Sequence, residues 1–279
     1  MPSPVRAAGQ LLRVGRLAAD ARSRARLLHL ALRARLHGPP REPVPVRLCR
    51  HGRLVTLGLR DHHDIDLLDE LWAGEGYPLP AGFTPRRVLD LGANIGLFAI
   101  DLALRFPEAR ILAVEPHPYT FRRLRAHAAC FPGIAPVHAA VWEREGEVAF
   151  AALDQHPSAR VDGEGRAGGI RVPAATLESL FARLGGAADL VKFDIEGAEG
   201  RVLRDPAVLR RAARWIGELH PHLPGCDPPL IAARFREAGF AVDLRPLAGS
   251  CRLLVARRED VSVAAPAAAQ PCSSLSPSS

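Results

Sequence analysis

Hydrophobic and polar positions alternate with two different periods along the middle of the chain. Five short apolar runs predict buried strands: 87–91, 110–114, 134–140, 190–193 and 215–219. Stretches of helical period predict helices between or after them: 96–105, 119–129, 177–184, 198–203 and 229–238. Such alternation with short links is typical of a mostly parallel, doubly wound α/β sheet. Residues 240–245 and 251–256 are expected to complete it as an antiparallel pair, so that the last strand runs against its neighbours.

The first 41 residues have a pattern of their own. Apolar residues recur at roughly helical spacing with Arg on the other side, which predicts one basic helical arm over 5–36. This segment holds nine Arg and one acidic residue, Asp20, whereas the whole chain has a net charge of +7. The core is therefore near neutral, and we expect no nucleic-acid partner for it. For the arm, peripheral membrane contact, a partner protein and organellar targeting are alternatives to the favoured interpretation, a solvated or packed accessory helix.

A small cap is predicted between the arm and the core, over residues 42–85. Val44–Cys49 and Leu54–Leu59 have the composition of a β-hairpin. A helix is expected from Asp64 to Trp72, with Asp64 as its N-cap. The core then occupies residues 86–257.

Three further expectations concern loops and location. Residues 143–151 predict a hairpin that turns at Glu145-Gly146, and 158–169 predict a flexible loop. The Ala/Pro/Ser-rich residues 258–279 predict a disordered tail.

The five cysteines are odd in number and include no CxxC pair, and no apolar run reaches eighteen residues. We therefore expect a cytoplasmic protein whose cysteines form no disulfide framework or zinc site.

The most informative motif runs from Val88 to Phe98 and combines a strand, a tight loop and a helix start. Gly92 permits a sharp turn, and Gly96 permits close packing and exposes backbone N–H groups. Asn94 tolerates the left-handed conformation that such loops need. Asp90 is expected to accept hydrogen bonds from a cationic or amide group of a ligand.

An acidic residue at the end of the second strand extends this motif. Glu115 follows Gly92 by 23 residues, which is the position of the carboxylate that binds ribose hydroxyls in βαβ nucleotide sites. The loop reads G-x-x-x-G, without the G-x-G-x-x-G spacing that admits a pyrophosphate. S-adenosylmethionine, which lacks a phosphate, therefore suits the site better than NAD. Its predicted contacts are Asp90, Gly92, Ala93, Asn94, Gly96, Glu115 and Pro116.

Charged side chains end the fourth and fifth strands, where a doubly wound sheet binds its ligands. The candidate catalytic residues are Lys192, Asp194, Glu196, Glu218 and His220. Asp194 is expected to orient an acceptor hydroxyl or take its proton, and His220 is a candidate general base. Lys192 and Asp194 share a strand face and are expected to pair.

Two alternatives remain open for this group. In the first, the acids only form ion pairs and cap the next helix, with Glu196 and Glu199 near its N-terminus. In the second, Asp194 joins the alternating Glu218, His220 and His222 to bind a divalent cation. The cation is a hypothesis, and no metal ligand is assigned.

The same motifs carry a family resemblance. The family-like segments are Asp90–Gly96, Val114–Pro116, Thr176–Glu178, Val191–Glu199 and Glu218–His220. In this order they resemble the motifs of FkbM-type methyltransferases, and the K-x-D-x-E-G-x-E block from Lys192 to Glu199 is the most specific. The resemblance implies a Rossmann-like class I methyltransferase fold and S-adenosylmethionine as cofactor.

The resemblance also implies a reaction class, usually O-methylation of a hydroxyl on a sugar or natural product. The expected acceptor is therefore a small molecule or glycan. A non-catalytic S-adenosylmethionine-binding scaffold is the main alternative. An NAD-dependent oxidoreductase is a weaker one, because the single lysine, Lys192, lacks the Ser/Tyr-x-x-x-Lys spacing. Oligomeric state and the identity of the acceptor are left open.

Overall fold

A seven-stranded sheet lies at the centre of the computed structural model, which describes residues 4–36, 38–74, 76–151, 160–161, 170–247 and 250–258. The strands are β1 (Val44–Arg50), β2 (Arg53–Leu59), β3 (Arg87–Leu91), β4 (Arg110–Glu115), β5 (Ile134–His138), β6 (Ala140–Val141), β7 (Gly146–Ala151), β8 (Arg160–Val161), β9 (Ile170–Ala175), β10 (Ala188–Phe193), β11 (Ala212–Leu219), β12 (Phe240–Pro246) and β13 (Arg252–Arg258). The helices are α1 (Pro4–Gly15), α2 (Ala21–Leu36), α3 (His62–Leu68), α4 (Leu97–Arg105), α5 (Pro118–Ala128), α6 (Leu177–Arg183), α7 (Glu199–Val202), α8 (Pro206–Leu209) and α9 (Pro228–Glu237).

The order of strands in the central sheet is β12-β13-β11-β10-β3-β4-β5. Five of them pair in parallel, and β13 pairs antiparallel with both β11 and β12. The chain order reverses between β3 and β10, so ligand binding is expected beyond the carboxyl ends of these two strands. The predicted mostly parallel, doubly wound sheet with an antiparallel last strand is confirmed.

Alternate residues of each central strand enter two separate cores, as the two-residue period of a strand requires. Leu89, Leu91 and Phe193 face a core that also contains Trp215 and Phe235. Val88 and Leu190 point the other way and meet the apolar faces of α1 to α4. The register places Lys192 beside Asp90 on this second face.

The N-terminal arm is part of this second core. The predicted single helix is wrong: α1 and α2 are separated by a turn in which Ala18 bridges to Leu48 of the hairpin. Val14, Leu27 and Leu30 are buried beneath them. This supports the favoured interpretation of packed accessory helices. Within the described ranges, no helix is long and apolar enough to cross a membrane.

The hairpin of the cap is confirmed as β1 and β2, but the following helix differs from its prediction. Asp61, and not Asp64, caps α3 by accepting hydrogen bonds from the backbone N–H groups of His63 and Asp64. Asp64 lies inside the helix, where its buried carboxylate meets Arg123 at 2.5 Å. A π-helical turn, Asp69–Ala73, then continues to the end of the predicted helix.

The predicted hairpin over 143–151 is also wrong. β7 pairs with β9 and β8, and β6 pairs with β9, in a separate four-stranded sheet. The Glu145 side chain accepts hydrogen bonds from the Thr176 backbone N–H and hydroxyl, which ties the expected turn to the start of α6. Arg160–Val161 is a strand, and the rest of the predicted 158–169 loop lies outside the described residues, as do residues 259–279 of the predicted tail.

Candidate active site

The loop between β3 and α4 has the left-handed conformations that its sequence predicts. The φ angles of Gly92, Asn94 and Gly96 are 74°, 50° and 92°. A Cβ atom at Gly92 would lie 1.8 Å from the carbonyl oxygen of Asp194. The loop thus lies directly against the end of β10, a closeness that only glycine allows.

Hydrogen bonds hold the same loop to the end of β4. The backbone N–H groups of Gly92 and Ala93 both donate to the carbonyl oxygen of Val114, at 3.0 and 2.8 Å. The Asn94 N–H donates to Glu115 Oε2 at 3.0 Å. The two halves of the predicted cofactor motif are therefore joined directly.

Glu115 is buried, and each of its carboxylate oxygens accepts one backbone hydrogen bond. Its Oε1 accepts from the N–H of His117 at 2.8 Å. Burial raises the pKa of Glu115 to about 7, although these two hydrogen bonds act in the opposite direction. Each oxygen keeps one further acceptor position, which matches a pair of adjacent hydroxyl groups. The ribose contact stays a prediction.

Pro116 contributes a backbone carbonyl to the neighbouring surface. His138, at the end of β5, contacts this oxygen through Nε2 at 3.0 Å. The ring of Phe121 stacks on His138 with centroids 4.8 Å apart. His138 is thus fixed beside the predicted cofactor residues.

Asp90 lies beneath the loop. Its residue is 0% exposed, and Oδ1 is 3.3 Å from Nζ of Lys192. Lys192 also donates to the carbonyl oxygen of Gly92 at 2.7 Å. The structure therefore corrects one prediction, because the buried partner of Lys192 is Asp90, not Asp194. The ligand contact of Asp90 stays a prediction.

Asp194, Glu196 and His220 converge where β10 and β11 end. Nε2 of His220 is 3.6 Å from Asp194 Oδ1 and 3.7 Å from Glu196 Oε2. Nδ1 of His220 is 2.7 Å from Oε1 of Glu199. Burial alone would lower the pKa of His220, but the bond to Glu199 and the surrounding carboxylates raise it to about 9. A neutral imidazole near neutral pH, which the predicted general base needs, is therefore disfavoured.

Glu199 lies in the first turn of α7 and forms an ion pair, as the first alternative predicts. Its residue is 0% exposed, although the N-cap position of α7 belongs to Ala198. Only the tertiary fold brings Glu199 to His220, 21 residues further along the chain. The family-like K-x-D-x-E-G-x-E block contains this residue and was the only signal for it.

Glu218 belongs to a neighbouring network that includes two residues missed from sequence. The hydroxyl of Tyr77 donates to Glu218 Oε1 at 3.0 Å, and Nζ of Lys192 lies 5.6 Å from the Tyr77 ring. Burial, followed by repulsion from Glu218 and Asp194, raises the pKa of Glu70 to about 7. These groups line a cavity of about 40 Å³ between the Gly92 loop and the cap residues Leu67, Glu70, Leu71 and Tyr77.

The four residues predicted to share a cation do not form one group. Two sets have suitably close ligand atoms in the described part of the chain: Asp194, Glu196 and His220, and Glu218, His220 and Cys251. His222 belongs to neither; it is exposed, and Nδ1 lies 3.2 Å from the hydroxyl of Ser250.

Residues 90–242 match the family model described as the methyltransferase FkbM domain. The chain belongs to the FkbM methyltransferase family. The match begins at Asp90 and includes the Glu115 and Asp194 regions, so the FkbM domain contains both halves of the site. The fold and the family agree on a Rossmann-like class I methyltransferase domain, which removes the NAD-dependent oxidoreductase as an interpretation.

Two curated relatives extend the comparison. Over 61 residues the chain is 46% identical to a tRNA1(Val) (adenine(37)-N6)-methyltransferase of Porphyromonas gingivalis, covering 22% of this chain and 23% of that protein. Over 223 residues it is 29% identical to the AMB antimetabolite synthetase AmbE of Pseudomonas aeruginosa, covering 64% of this chain and 10% of that protein. The FkbM chain thus spans less than a quarter of either relative.

Solved structures give weaker similarities. A precorrin-6y C5,15-methyltransferase from Geobacter metallireducens aligns at 13% identity with a TM-score of 0.38, covering 62% of this chain and 78% of that one. The N-terminal domain of EvdMO1, solved with SAH and D-fucose, aligns at 19% identity with a TM-score of 0.36, covering 62% and 76%. Scores this low carry no argument about the site.

Proposed function

We propose that this FkbM-family protein transfers a methyl group from S-adenosylmethionine to a hydroxyl group of a glycan or secondary metabolite. The hydrogen bonding of Glu115 carries the cofactor half of this proposal. Its two oxygens are fixed by backbone N–H groups and each retains an acceptor position, as a vicinal diol requires. Gly92, which has no side chain where the loop meets Asp194, holds the loop against the end of β10 and beside Glu115.

S-adenosylmethionine, when bound, supplies a methyl group on a positively charged sulfur. In the proposed site, Glu115 holds the ribose, and the loop from Gly92 to Gly96 supports the rest of the cofactor. Asp194 then orients the acceptor hydroxyl. Its Oδ1 is buried without a hydrogen-bond partner and lies at the carboxyl end of β10. Such an oxygen is suited to accept a hydrogen bond from the hydroxyl and then its proton, as the methyl group passes to the hydroxyl oxygen and S-adenosylhomocysteine is left.

The remaining charged residues are assigned positioning roles. Lys192 bonds Asp90 and the Gly92 carbonyl, and so fixes the loop to β10. His220 and Glu196 surround Asp194, and Glu218 anchors Tyr77 of the cap. The cap contributes Leu67, Glu70, Leu71 and Tyr77 to the cavity beside the loop, so we assign part of the acceptor pocket to these four residues.

The test is a calorimetric titration with S-adenosylmethionine, S-adenosylhomocysteine and NAD, followed by a methyl-transfer assay on hydroxyl acceptors. Glu115→Ala is expected to abolish binding of the first two ligands. Glu108→Ala, which removes an exposed carboxylate just before β4, is the matched control and should bind normally. Binding of NAD alone would refute the proposal. Binding of S-adenosylmethionine without transfer to any hydroxyl would favour the non-catalytic scaffold.

Cytoplasmic location and peripheral membrane contact stay proposals. Leu12 and Leu32 are 70% and 57% exposed on the Arg-rich helices, which supports contact with an anionic surface. Because the same helices pack into the core, deletion of the arm is an unsuitable test. Leu12→Ser with Leu32→Ser, compared with the unaltered protein on anionic and neutral vesicles, separates binding from folding. Equal sedimentation on both vesicle types would exclude the membrane contact.

A further inference from the structure

The group formed by Asp194, Glu196 and His220 has the spacing of ligands around a missing atom. The two carboxylate oxygens are 3.6 and 3.7 Å from Nε2 of His220, which is beyond hydrogen-bonding distance. Two ligands bound tetrahedrally to one ion at about 2.1 Å are separated by about 3.4 Å. The three atoms therefore need only small shifts to share a cation.

One unsatisfied polar atom borders this gap. In the part of the chain that the structure describes, Oδ1 of Asp194 is buried and has no hydrogen-bond partner. His220 is 5% exposed, and its Nε2 lies on the other side of the gap. Buried polar atoms are normally satisfied, so the unpartnered Asp194 oxygen indicates an absent ligand.

Glu199 fixes the orientation of the imidazole. Its buried carboxylate lies 2.7 Å from Nδ1 of His220, so Nδ1 keeps a proton and Nε2 faces the gap. A cation bound there displaces the proton that Nε2 carries in the imidazolium form. A carboxylate behind a metal-binding histidine is the usual second contact of such sites, where it sets the tautomer and raises ligand basicity. This accounts for a fully buried acid that the methyl-transfer proposal does not use.

We propose that Asp194, Glu196 and His220 bind a divalent first-row cation such as Mn²⁺ or Zn²⁺. The mixed imidazole and carboxylate donors favour these ions over Ca²⁺ and Mg²⁺. The side chains of Asp194 and Glu196 are 30% and 33% exposed, which leaves positions for water or an acceptor oxygen. The use of the ion rests on the proposed function: next to the Gly92 loop, it lowers the pKa of the acceptor hydroxyl.

The binding test uses the full chain after treatment with EDTA and dialysis, titrated with MnCl₂ and ZnCl₂ by calorimetry. One ion per chain is expected. Asp194→Asn and Glu196→Gln are each expected to weaken binding at least about tenfold, and Glu199→Gln about 10- to 100-fold, with partial rescue by Glu199→Asp. Glu178→Gln, which alters an exposed acid on α6, should leave the affinity unchanged.

Each other outcome overturns the assignment. No binding at millimolar metal, or equal affinity in Asp194→Asn and Glu196→Gln, would refute the site. Loss of binding in Glu218→Gln and Cys251→Ser, with Glu196→Gln unaffected, would assign the ion to the other ligand set and refute this one. Thermal unfolding of every variant without metal shows whether it is folded.

S-adenosylhomocysteine binding, measured on the same samples, separates this inference from the proposed function. Cofactor binding and methyl transfer that persist in EDTA would refute the use of the cation in the reaction and leave the methyltransferase proposal intact. Metal binding without cofactor binding would refute the methyltransferase proposal and leave the site intact.

Discussion

Tyr77 and Glu218 are joined by a 3.0 Å hydrogen bond across 141 residues of sequence. The bond connects the cap to the end of β11, so the cap is joined directly to this edge of the central sheet. We predict that Tyr77→Phe lowers the free energy of unfolding by about 1–2 kcal/mol, because the Glu218 carboxylate loses a partially buried donor. Chemical denaturation measures this. S-adenosylhomocysteine affinity should be unchanged, and a large loss would show that Tyr77 supports the cofactor site as well.

The close approach of the Gly92 loop to β10 predicts that substitution by alanine costs much more stability at Gly92 than at Gly82. Gly92→Ala would place a Cβ 1.8 Å from the Asp194 carbonyl oxygen, and we expect it to cost more than about 3 kcal/mol of stability. Gly82→Ala is the matched control, because φ is 75° there but no atom lies within 4 Å of the added Cβ. That change should cost about 1–2 kcal/mol from backbone strain alone. Equal losses in thermal denaturation would contradict the close packing.

Cofactor affinity should depend on pH through Glu115. The pKa of this carboxyl is about 7, and ribose hydroxyls donate best to its ionised form. Affinity for S-adenosylhomocysteine is therefore expected to be full above pH 8 and to fall, by up to about tenfold per unit, below pH 7. Calorimetry from pH 6 to 8.5 tests this. Glu115→Gln should remove the dependence, and an unaltered pH profile in that variant would assign the titration to another group.

The contribution of Glu115 to folding stability depends on pH in the opposite direction: stability falls as pH rises, whereas cofactor affinity increases. A folded-state pKa above the usual value of a glutamate means that the folded protein binds the proton more tightly than the unfolded chain. Glu115 thus contributes most stability below its unfolded pKa, and this contribution is lost as pH rises through about 7.

The buried pair of Asp90 and Lys192 predicts non-additive mutations. Asp90→Asn leaves the Lys192 ammonium buried without its counter-charge and should cost about 3–5 kcal/mol. Lys192→Met leaves Asp90 in the same situation. The double variant should be more stable than the sum of the two losses indicates, because no charge is left unpaired. Additive losses in urea denaturation would mean that the two groups act independently.

Because the arm is packed on the core, substitutions of two leucines of α2 should differ in their effect on stability. Leu30 is completely buried, whereas Leu32 is mostly exposed. Leu30→Ala should lower stability by about 2–5 kcal/mol, and Leu32→Ala by less than about 0.5 kcal/mol. A scan of melting temperatures distinguishes them. Similar small effects would mean that the arm does not contribute to folding.

Local patterns were sufficient for the central sheet and for the Gly92 loop. The apolar runs are strands because both faces of the sheet are covered, and the left-handed Asn94 follows from the tight turn between β3 and α4. The helices of the core have clear stop signals, such as Gly239 after α9. Each of these depends on neighbours within a few residues.

Long-range pairing decided what the sequence pattern missed. The local sequence favours Asp64 as the N-cap of α3. In the structure Asp64 lies within α3, where its carboxylate forms an ion pair with Arg123 of α5. The segment 143–151 does not fold into the predicted hairpin, because its strand β7 pairs with β9. The Glu145 side chain accepts a hydrogen bond from the Thr176 N–H, which holds the expected turn at α6. Glu199 came to His220 only through the sheet order. Periodicity contains no information about such partners.

Lys192 is the only lysine of the chain, and it lies between the Gly92 loop and the cap. Incorporation of ¹⁵N-lysine would therefore give a single backbone amide resonance, located within the site itself. No assignment work would be needed to follow it. One isotope-labelled amino acid would thus serve as a spectroscopic reporter of cofactor, metal and acceptor binding in the same sample.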